Sequence, residues 1–212
     1  MVYLYTGTPG SGKSLHMARD IYDACNMSAN KHLVIVNFPV NTEFLKHPER
    51  VIYVPNDELS PFRIYDICME FWGDRKPKEG TIKLFIDECQ LIFNSRSWNE
   101  AGRKDWISLF TQHRKLGLDV YLVAQFDEMV DKQIRCLVEY EVTHRKVSNF
   151  GFIGFLLKII SFGGLFIAVY RWYGIKERIS YEYFRARKRY YKLYDTLAIF
   201  DSFKWSKDTQ VV

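Results

Sequence analysis

The stretch GTPGSGKS, residues 7–14, fits the pattern G-x-x-x-x-G-K-[ST] without gaps. Its glycines let the backbone turn so that successive N–H groups point inward at phosphate oxygens. A short apolar strand from Val2 to Tyr5 precedes it, and an amphipathic helical pattern from Ser14 to Cys25 follows. This order of strand, loop and helix predicts a phosphate-binding loop rather than a chance glycine turn.

The same stretch predicts the residues that hold a nucleoside triphosphate. The helix adds the positive end of its dipole and its unpaired N–H groups. Lys13 is expected to reach the β- and γ-phosphates, and the Ser14 hydroxyl to take a place on Mg²⁺. The predicted contact residues are Gly7, Thr8, Pro9, Gly10, Ser11, Gly12, Lys13, Ser14 and Leu15.

Length and composition indicate a globular α/β protein. A chain of 212 residues with 48% hydrophobic residues can bury a sizeable core. The cysteines at 25, 68, 89 and 136 lack metal-site spacing, so we expect reduced core thiols in a cytoplasmic protein. The first residues already form the strand that feeds the loop, which argues against a signal peptide. Residues 1–131 carry 15 basic and 18 acidic residues, net −3, and residues 132–212 carry 15 and 7, net +8.

A second informative stretch is TIKLFIDECQ, residues 81–90, a hydrophobic run that ends in Asp87 and Glu88. A buried parallel strand places such carboxylates at the carboxyl edge of the sheet, where ligands of open α/β sheets bind. Asp87 is expected to hold Mg²⁺ and Glu88 to polarise the water that attacks the γ-phosphate. Phosphotransferases with similar loops need no such glutamate and usually carry an arginine-rich lid, so the pair favours hydrolysis.

A third stretch, LFTQHRKLGLDVYLVAQF, residues 109–126, predicts a helix that ends near Gly117 and a buried strand from Asp119 to Ala124. Gln125 lies at the end of that strand, where it either senses the γ-phosphate, as in RecA-like ATPases, or bonds to local backbone. Arg114 either stabilises charge, including across a subunit boundary, or is a solvated helix-end arginine. Arg96 and Arg103 are weaker candidates for the same role.

Taken together, GTPGSGKS, LFIDECQ and QHRKLGLDVYLVAQ resemble the zonular occludens toxin (Zot) family, which includes assembly ATPases of filamentous phages. VEYEVTHRK and YYKLYDT are also similar to later segments of that family, so the resemblance covers roughly residues 1–200. It implies a P-loop ATPase related to FtsK-type DNA translocases, with a role in DNA export and virion assembly. It also implies nucleotide contacts at Gly10, Gly12, Lys13 and Ser14, magnesium at Ser14 and Asp87, and water activation at Glu88.

The apolar run from Phe150 to Tyr170 is long enough to cross a bilayer, but it contains Lys158 and the pair Gly163-Gly164. Alternatively, a segment from Phe150 to Ile160 rests on a membrane surface or packs against protein, and a strand from Leu165 to Trp172 pairs with Arg178 to Phe184. We favour a segment that rests on a membrane surface or packs against protein over one that spans the membrane.

The segment YEYFRARKRYYKLYD, residues 181–195, interleaves tyrosines with basic residues. Single-stranded nucleic acid is bound by such stacking and charge, although tyrosine-rich segments more often pack in a core.

These observations predict a RecA/FtsK-like α/β fold with a mostly parallel sheet flanked by helices. A P-loop ATPase domain covers residues 1–146, and a C-terminal extension covers 147–212. The extension contains the apolar insertion (150–164), a β-hairpin and a terminal helix near Lys192–Phe200.

The predicted function is an ATP-hydrolysing motor with Mg²⁺ that works as a homo-oligomeric ring at the inner membrane. The alternatives are a small-molecule phosphotransferase and a nucleotide-gated scaffold. The absence of an N-K-x-D motif favours ATP over GTP.

Overall fold

The computed structural model describes residues 1–27, 31–94, 102–149 and 164–194. Its strands are β1 (Val2–Thr6), β2 (Leu33–Val36), β3 (Val51–Tyr53), β4 (Ile82–Ile86), β5 (Leu118–Val123), β6 (Tyr140–Lys146), β7 (Leu165–Trp172) and β8 (Arg178–Arg185). Its α-helices are α1 (Lys13–Asn26), α2 (Pro61–Trp72), α3 (Arg103–Gln112), α4 (Lys132–Arg135) and α5 (Lys188–Leu193). Single 3₁₀ turns lie at Thr42–Phe44, Pro48–Arg50, Cys89–Leu91, His113–Leu116, Asp127–Met129 and Val147–Asn149.

The strands form one sheet in the order β3-β2-β4-β5-β1-β6-β7-β8. The six strands from β3 to β6 are parallel, whereas β7 and β8 add to the β6 edge in antiparallel orientation. The predicted mostly parallel α/β fold is confirmed. The predicted boundary at residue 146 falls between two strands of this continuous sheet.

Both faces of the sheet are buried, which is why β2, β4 and β5 are almost purely apolar. Side chains alternate between the two faces along each strand. Leu84 and Ile86 face a core formed with α2 and α3, and Phe85 faces a core formed with α1 and α5. The sheet is therefore the middle of three layers, and its carboxyl edge stays free for a site.

Local sequence signals explain where the helices begin and end. Helix α2 begins with Pro61 after Ser60, whose hydroxyl accepts a hydrogen bond from the Arg63 N–H. The 3₁₀ turn after α3 ends at Gly117, which has a φ of 67°. That left-handed conformation favours glycine and turns the chain directly into β5.

The structure tests the prediction for the C-terminal extension. The hairpin from Leu165 to Trp172 and Arg178 to Phe184 is confirmed by β7 and β8. Residues 165–170, the end of the apolar run for which spanning was one alternative, belong to β7 rather than to a helix. Most of the apolar insertion (150–164) lies outside the described residues. In the described part of the chain, no helix has the length and hydropathy needed to cross a membrane.

Two further expectations need correction. The terminal helix near Lys192–Phe200 begins earlier, because α5 is Lys188–Leu193 and Tyr194 leaves it with extended backbone angles. The rest of the expected range lies outside the described residues. The four cysteines are free as expected, but only Cys25, Cys68 and Cys89 are buried. Cys136 is exposed just after the single turn of α4, so the core prediction is wrong there.

Candidate nucleotide-binding site

The loop between β1 and α1 has the backbone that a phosphate cradle needs. Gly7, Gly10 and Gly12 have φ values of 142°, 73° and 103°, all in the region that favours glycine. The Gly7 N–H donates to the Gln125 carbonyl at 3.1 Å, and the Ser11 N–H donates to the Thr8 carbonyl at 3.1 Å. The loop is thus tied to the neighbouring strand β5 and closed on itself before α1 begins at Lys13.

Lys13 lies inside this loop. Its Nζ donates to the Gly7 carbonyl at 2.5 Å and to the Thr8 carbonyl at 3.4 Å. Burial lowers the pKa of Lys13, and the nearby carboxylates of Asp87 and Glu88 oppose that shift. The lysine and the two acidic residues predicted from different stretches therefore share one electrostatic neighbourhood.

The loop also contains one buried polar group that has no protein partner among the described residues. Within the described residues, the buried Ser11 Oγ makes no hydrogen bond. A buried hydroxyl without a partner is costly, and an anion in the loop would satisfy it. The cradle, the lysine and the free hydroxyl fit a triphosphate, and the oxygens of Ser14 and Asp87 fit the preference of Mg²⁺ for hard oxygen ligands.

Asp87 follows β4, and both its backbone N–H and its carbonyl form hydrogen bonds with the side chain of Asn37, the residue after β2. The Asn37 Nδ2 donates to the Asp87 carbonyl at 3.0 Å, and the Asp87 N–H donates to Asn37 Oδ1 at 2.7 Å. The Asp87 Oδ1 accepts from the Glu88 N–H at 2.9 Å. Asp87 is only 8% exposed, and this burial raises the pKa of its carboxyl.

Glu88 has a left-handed backbone, with φ 46° and ψ 45°, which is unusual for a residue with a side chain. Its Oε2 accepts a hydrogen bond from the Gln90 Nε2. Backbone strain of this kind costs about 1–3 kcal/mol and persists where the surroundings enforce it, often at active sites. The strain therefore supports a functional role for the carboxylate that it orients.

Gln125 lies two residues after β5, between the ends of β1 and β4 in the sheet. Its carbonyl accepts a hydrogen bond from the Gly7 N–H, and its side chain is half-buried. The main-chain contact matches the alternative that Gln125 bonds to local backbone. The sensor role of its side chain stays a prediction.

Within the chain, the structure does not bring Arg114 to this edge of the sheet. Arg114 precedes β5, so it lies at the amino edge, where it donates to Glu139 Oε2 at 2.8 Å and is 55% exposed. Arg103 donates to Asp131 Oδ2 at 3.0 Å. Arg96 lies outside the described residues. Only contact with the nucleotide of another subunit would make Arg114 a catalytic residue.

Sequence reasoning missed Asn37 and Tyr194. Asn37 follows a buried strand in the stretch LVIVN, the same signal that identified Asp87, so it could have been found. Tyr194 lies 107 residues from Asp87 in sequence, yet its hydroxyl donates to Asp87 Oδ2 at 2.7 Å. No local pattern points to that contact.

Behind the loop, two buried histidines form a polar chain through the core. His144 Nδ1 lies 3.2 Å from the Thr6 carbonyl, and His144 Nε2 lies 2.8 Å from His16 Nδ1. His16 Nε2 lies 2.7 Å from an Arg19 Nη2, and Arg19 forms an ion pair with Glu182 of β8. The carbonyl can only accept, and the guanidinium can only donate. The contacts are therefore satisfied when both rings are neutral and each donates through Nδ1.

This histidine pair predicts acid sensitivity. Burial lowers the pKa of His16 to about 3 and the pKa of His144 well below its usual value. Unfolded histidines protonate near pH 6.5, so below that pH the unfolded state binds more protons and stability falls. Each ring should remove up to about 1.4 kcal/mol of unfolding free energy per pH unit between about pH 6.5 and 5.5. Urea titrations across this range measure the slope.

The control for this prediction is His47→Gln, because His47 is exposed and pairs only with Glu49 in the described contacts. It should leave the slope unchanged, whereas His16→Gln should reduce it. Asp20, which contacts Arg19 and has a pKa raised by burial, works in the opposite direction as pH falls. Stability that stays constant from about pH 7 to 5.5 would contradict the neutral histidine chain.

Comparison with known proteins places the chain in a family. A profile of the zonular occludens toxin (Zot) family matches residues 1–199. The chain belongs to the Zot family. The chain is 36% identical over 168 residues to the Gene 1 protein of Enterobacteria phage M13, covering 76% of this chain and 47% of that protein. The Gene 1 protein of Escherichia phage If1 is 34% identical over 168 residues, with 76% and 46% covered. The chain thus spans about half the length of the curated relatives it matches.

Solved structures show the same fold. The N-terminal domain of zonular occludens toxin from Neisseria meningitidis superposes with a TM-score of 0.55 at 18% identity, covering 92% of this chain and 98% of that one. B204, the DNA-packaging ATPase from Sulfolobus Turreted Icosahedral Virus, superposes with a TM-score of 0.51 at 12% identity, covering 88% and 97%. This chain therefore has the fold that these P-loop ATPases share.

Proposed function

We propose that this protein binds ATP with Mg²⁺ and hydrolyses it to drive the assembly or DNA export of a phage or mobile element at the inner membrane. One observation carries the proposal: the phosphate loop with Lys13 meets Asp87 and the strained Glu88 at one edge of the sheet. Membership of the Zot family and similarity to phage Gene 1 proteins support the biological setting.

The chain supplies the groups that such a reaction needs. The N–H groups of the loop and the Lys13 ammonium bind and orient the phosphates. The Ser14 hydroxyl and the Asp87 carboxylate hold Mg²⁺, which neutralises charge on the phosphates when bound. Glu88 accepts the proton of the attacking water through its carboxylate. Gln125, at the end of the strand between these groups, senses the γ-phosphate.

Glu88 favours hydrolysis over the alternatives. A phosphotransferase passes phosphate to a substrate hydroxyl and does not need a base aimed at water. A passive scaffold would gain nothing from holding a glutamate in a left-handed conformation that costs about 1–3 kcal/mol. The strain therefore supports a motor rather than a scaffold.

We further propose that the working state is a homo-oligomeric ring at the cytoplasmic face of the inner membrane, with single-stranded DNA as a second partner. The net charge of +8 over residues 132–212 supports an anionic surface or strand as a partner. In such a ring, Arg114 of one subunit would stabilise charge at the site of the next. Within one chain it pairs with Glu139 instead.

The test measures ATP binding and Mg²⁺-dependent ATP hydrolysis for the wild type and for Lys13→Ala. Hydrogen bonds to charged groups contribute about 1.5–3 kcal/mol, so removing Lys13 should weaken ATP binding roughly tenfold to hundredfold. Lys104→Ala, which removes an exposed lysine from α3, should leave binding unchanged. Measurements with anionic vesicles and with single-stranded DNA identify which partner stimulates turnover. A wild type that binds no ATP, or that binds ATP without hydrolysing it, under all of these conditions would refute the proposal.

A further inference from the structure

The C-terminal segment of the described chain forms the second wall of the nucleotide site. Helix α5 packs against α1, and a cavity of 290 Å³ separates it from the phosphate loop. The loop side of the cavity consists of Gly10 to Leu15 together with Ala18. The opposite side is aromatic and consists of Phe166, Tyr190, Tyr191 and Tyr194.

This wall is anchored by contacts that do not involve the loop. The Leu193 carbonyl accepts a hydrogen bond from the Asn41 N–H at 2.9 Å. The ring of Tyr190 meets the ring of Tyr22 on α1 at 5.7 Å between centroids, and the ring of Tyr194 meets Phe38 at 4.5 Å. Tyr194 is 4% exposed. Its position is therefore set by the core of the protein.

Tyr194 acts directly on the carboxylate expected to hold magnesium. The Asp87 Oδ1 accepts from the Glu88 N–H and the Asp87 Oδ2 accepts from the Tyr194 hydroxyl, so each oxygen has one protein donor. A tyrosine hydroxyl carries its proton at neutral pH, so it acts as the donor to this carboxylate oxygen. A carboxylate offers about four lone-pair directions, so each oxygen retains one for a metal-bound water.

We propose that Tyr194 is a positioning residue that fixes the rotation of the Asp87 carboxylate for Mg²⁺, and that α5 encloses the bound nucleotide. The inference rests on the proposed ATP site and adds a residue 107 positions away from Asp87 in sequence. Residues that orient a metal-ligating carboxylate typically contribute tenfold to hundredfold to metal affinity. Two fixed donors leave the Asp87 carboxylate one orientation, so its free oxygen lone pairs are already aimed before the metal binds.

The test compares the affinity for a fluorescent, slowly hydrolysed ATP analogue in EDTA and in Mg²⁺. For the wild type, the ratio of the two affinities measures the gain due to the metal. Tyr194→Phe should bind the analogue equally well in EDTA but lose about tenfold of the magnesium-dependent gain. Tyr183→Phe is the matched control, because Tyr183 on β8 is 56% exposed and does not line the cavity, and it should keep the full gain.

A double variant shows whether Tyr194 acts through Asp87. In the background of Asp87→Asn, adding Tyr194→Phe should change the magnesium-dependent gain no further, because the group that it positions is gone. A gain in Tyr194→Phe that equals or exceeds that of the wild type would overturn the inference, and an excess would show that the hydroxyl competes with the metal. Failure of the wild type to bind the analogue at all would instead refute the proposed ATP site.

Discussion

Glu88→Gln is expected to lower the rate of ATP hydrolysis by about a hundredfold to ten-thousandfold, the usual contribution of a general base. Binding of ATP should persist, because the phosphates are held by the loop and Lys13 rather than by Glu88. Glutamine keeps the length of the side chain but cannot accept the proton of the attacking water. Steady-state phosphate release and equilibrium binding of ATP, measured on the same preparations, give the two quantities.

The matched control for this variant is Glu128→Gln, which removes an exposed carboxylate in the 3₁₀ turn after β5. It should hydrolyse ATP at the wild-type rate. If Glu88→Gln turned over as fast as Glu128→Gln, the glutamate would not be the base, and its strained backbone would need another explanation. If Glu88→Gln lost binding as well as turnover, the variant would have disturbed Asp87, since the Glu88 N–H holds its Oδ1.

The phosphate loop and the Asp87 strand could be predicted because their signals are local. A loop pattern and an apolar run each fit within about ten residues, and the parallel orientation of β1 and β4 then places both strand ends at one edge of the sheet. The place of Arg114 also follows from this logic, although the prediction overlooked it. A residue that immediately precedes a parallel strand lies at the amino edge, opposite the strand ends where nucleotides bind.

The remaining parts of the site depend on contacts between distant segments. Tyr194 meets Asp87 only because β7 and β8 extend the sheet and return the chain across α1. His16 and His144 meet only because β6 lies beside β1, which carries the loop. Neither contact has a sequence period or motif, so packing decides both. Cys136 is exposed because it follows α4, a single helical turn that does not cover its side chain.

The packing of β6 against the loop leads to the second large effect, which is expected for Gly7→Ala. A Cβ at Gly7 would lie 2.7 Å from the His144 carbonyl oxygen and 2.6 Å from Ser11 Oγ, at a φ of 142°. A backbone carbonyl in a buried strand cannot move aside as a side chain can. Strain and clash together should lower the free energy of unfolding by about 3 kcal/mol or more.

Gly10→Ala is the matched comparison, because Gly10 also has a positive φ of 73° but a Cβ there would meet nothing within 4 Å. It should cost only about 1 kcal/mol, the price of a left-handed alanine. Urea unfolding of both variants measures the difference. Equal losses would mean that the loop can shift away from β6. A much larger loss for Gly7→Ala would mean that the sheet holds the cradle in shape before any phosphate arrives, because the clashing atoms belong to the fold and not to a ligand.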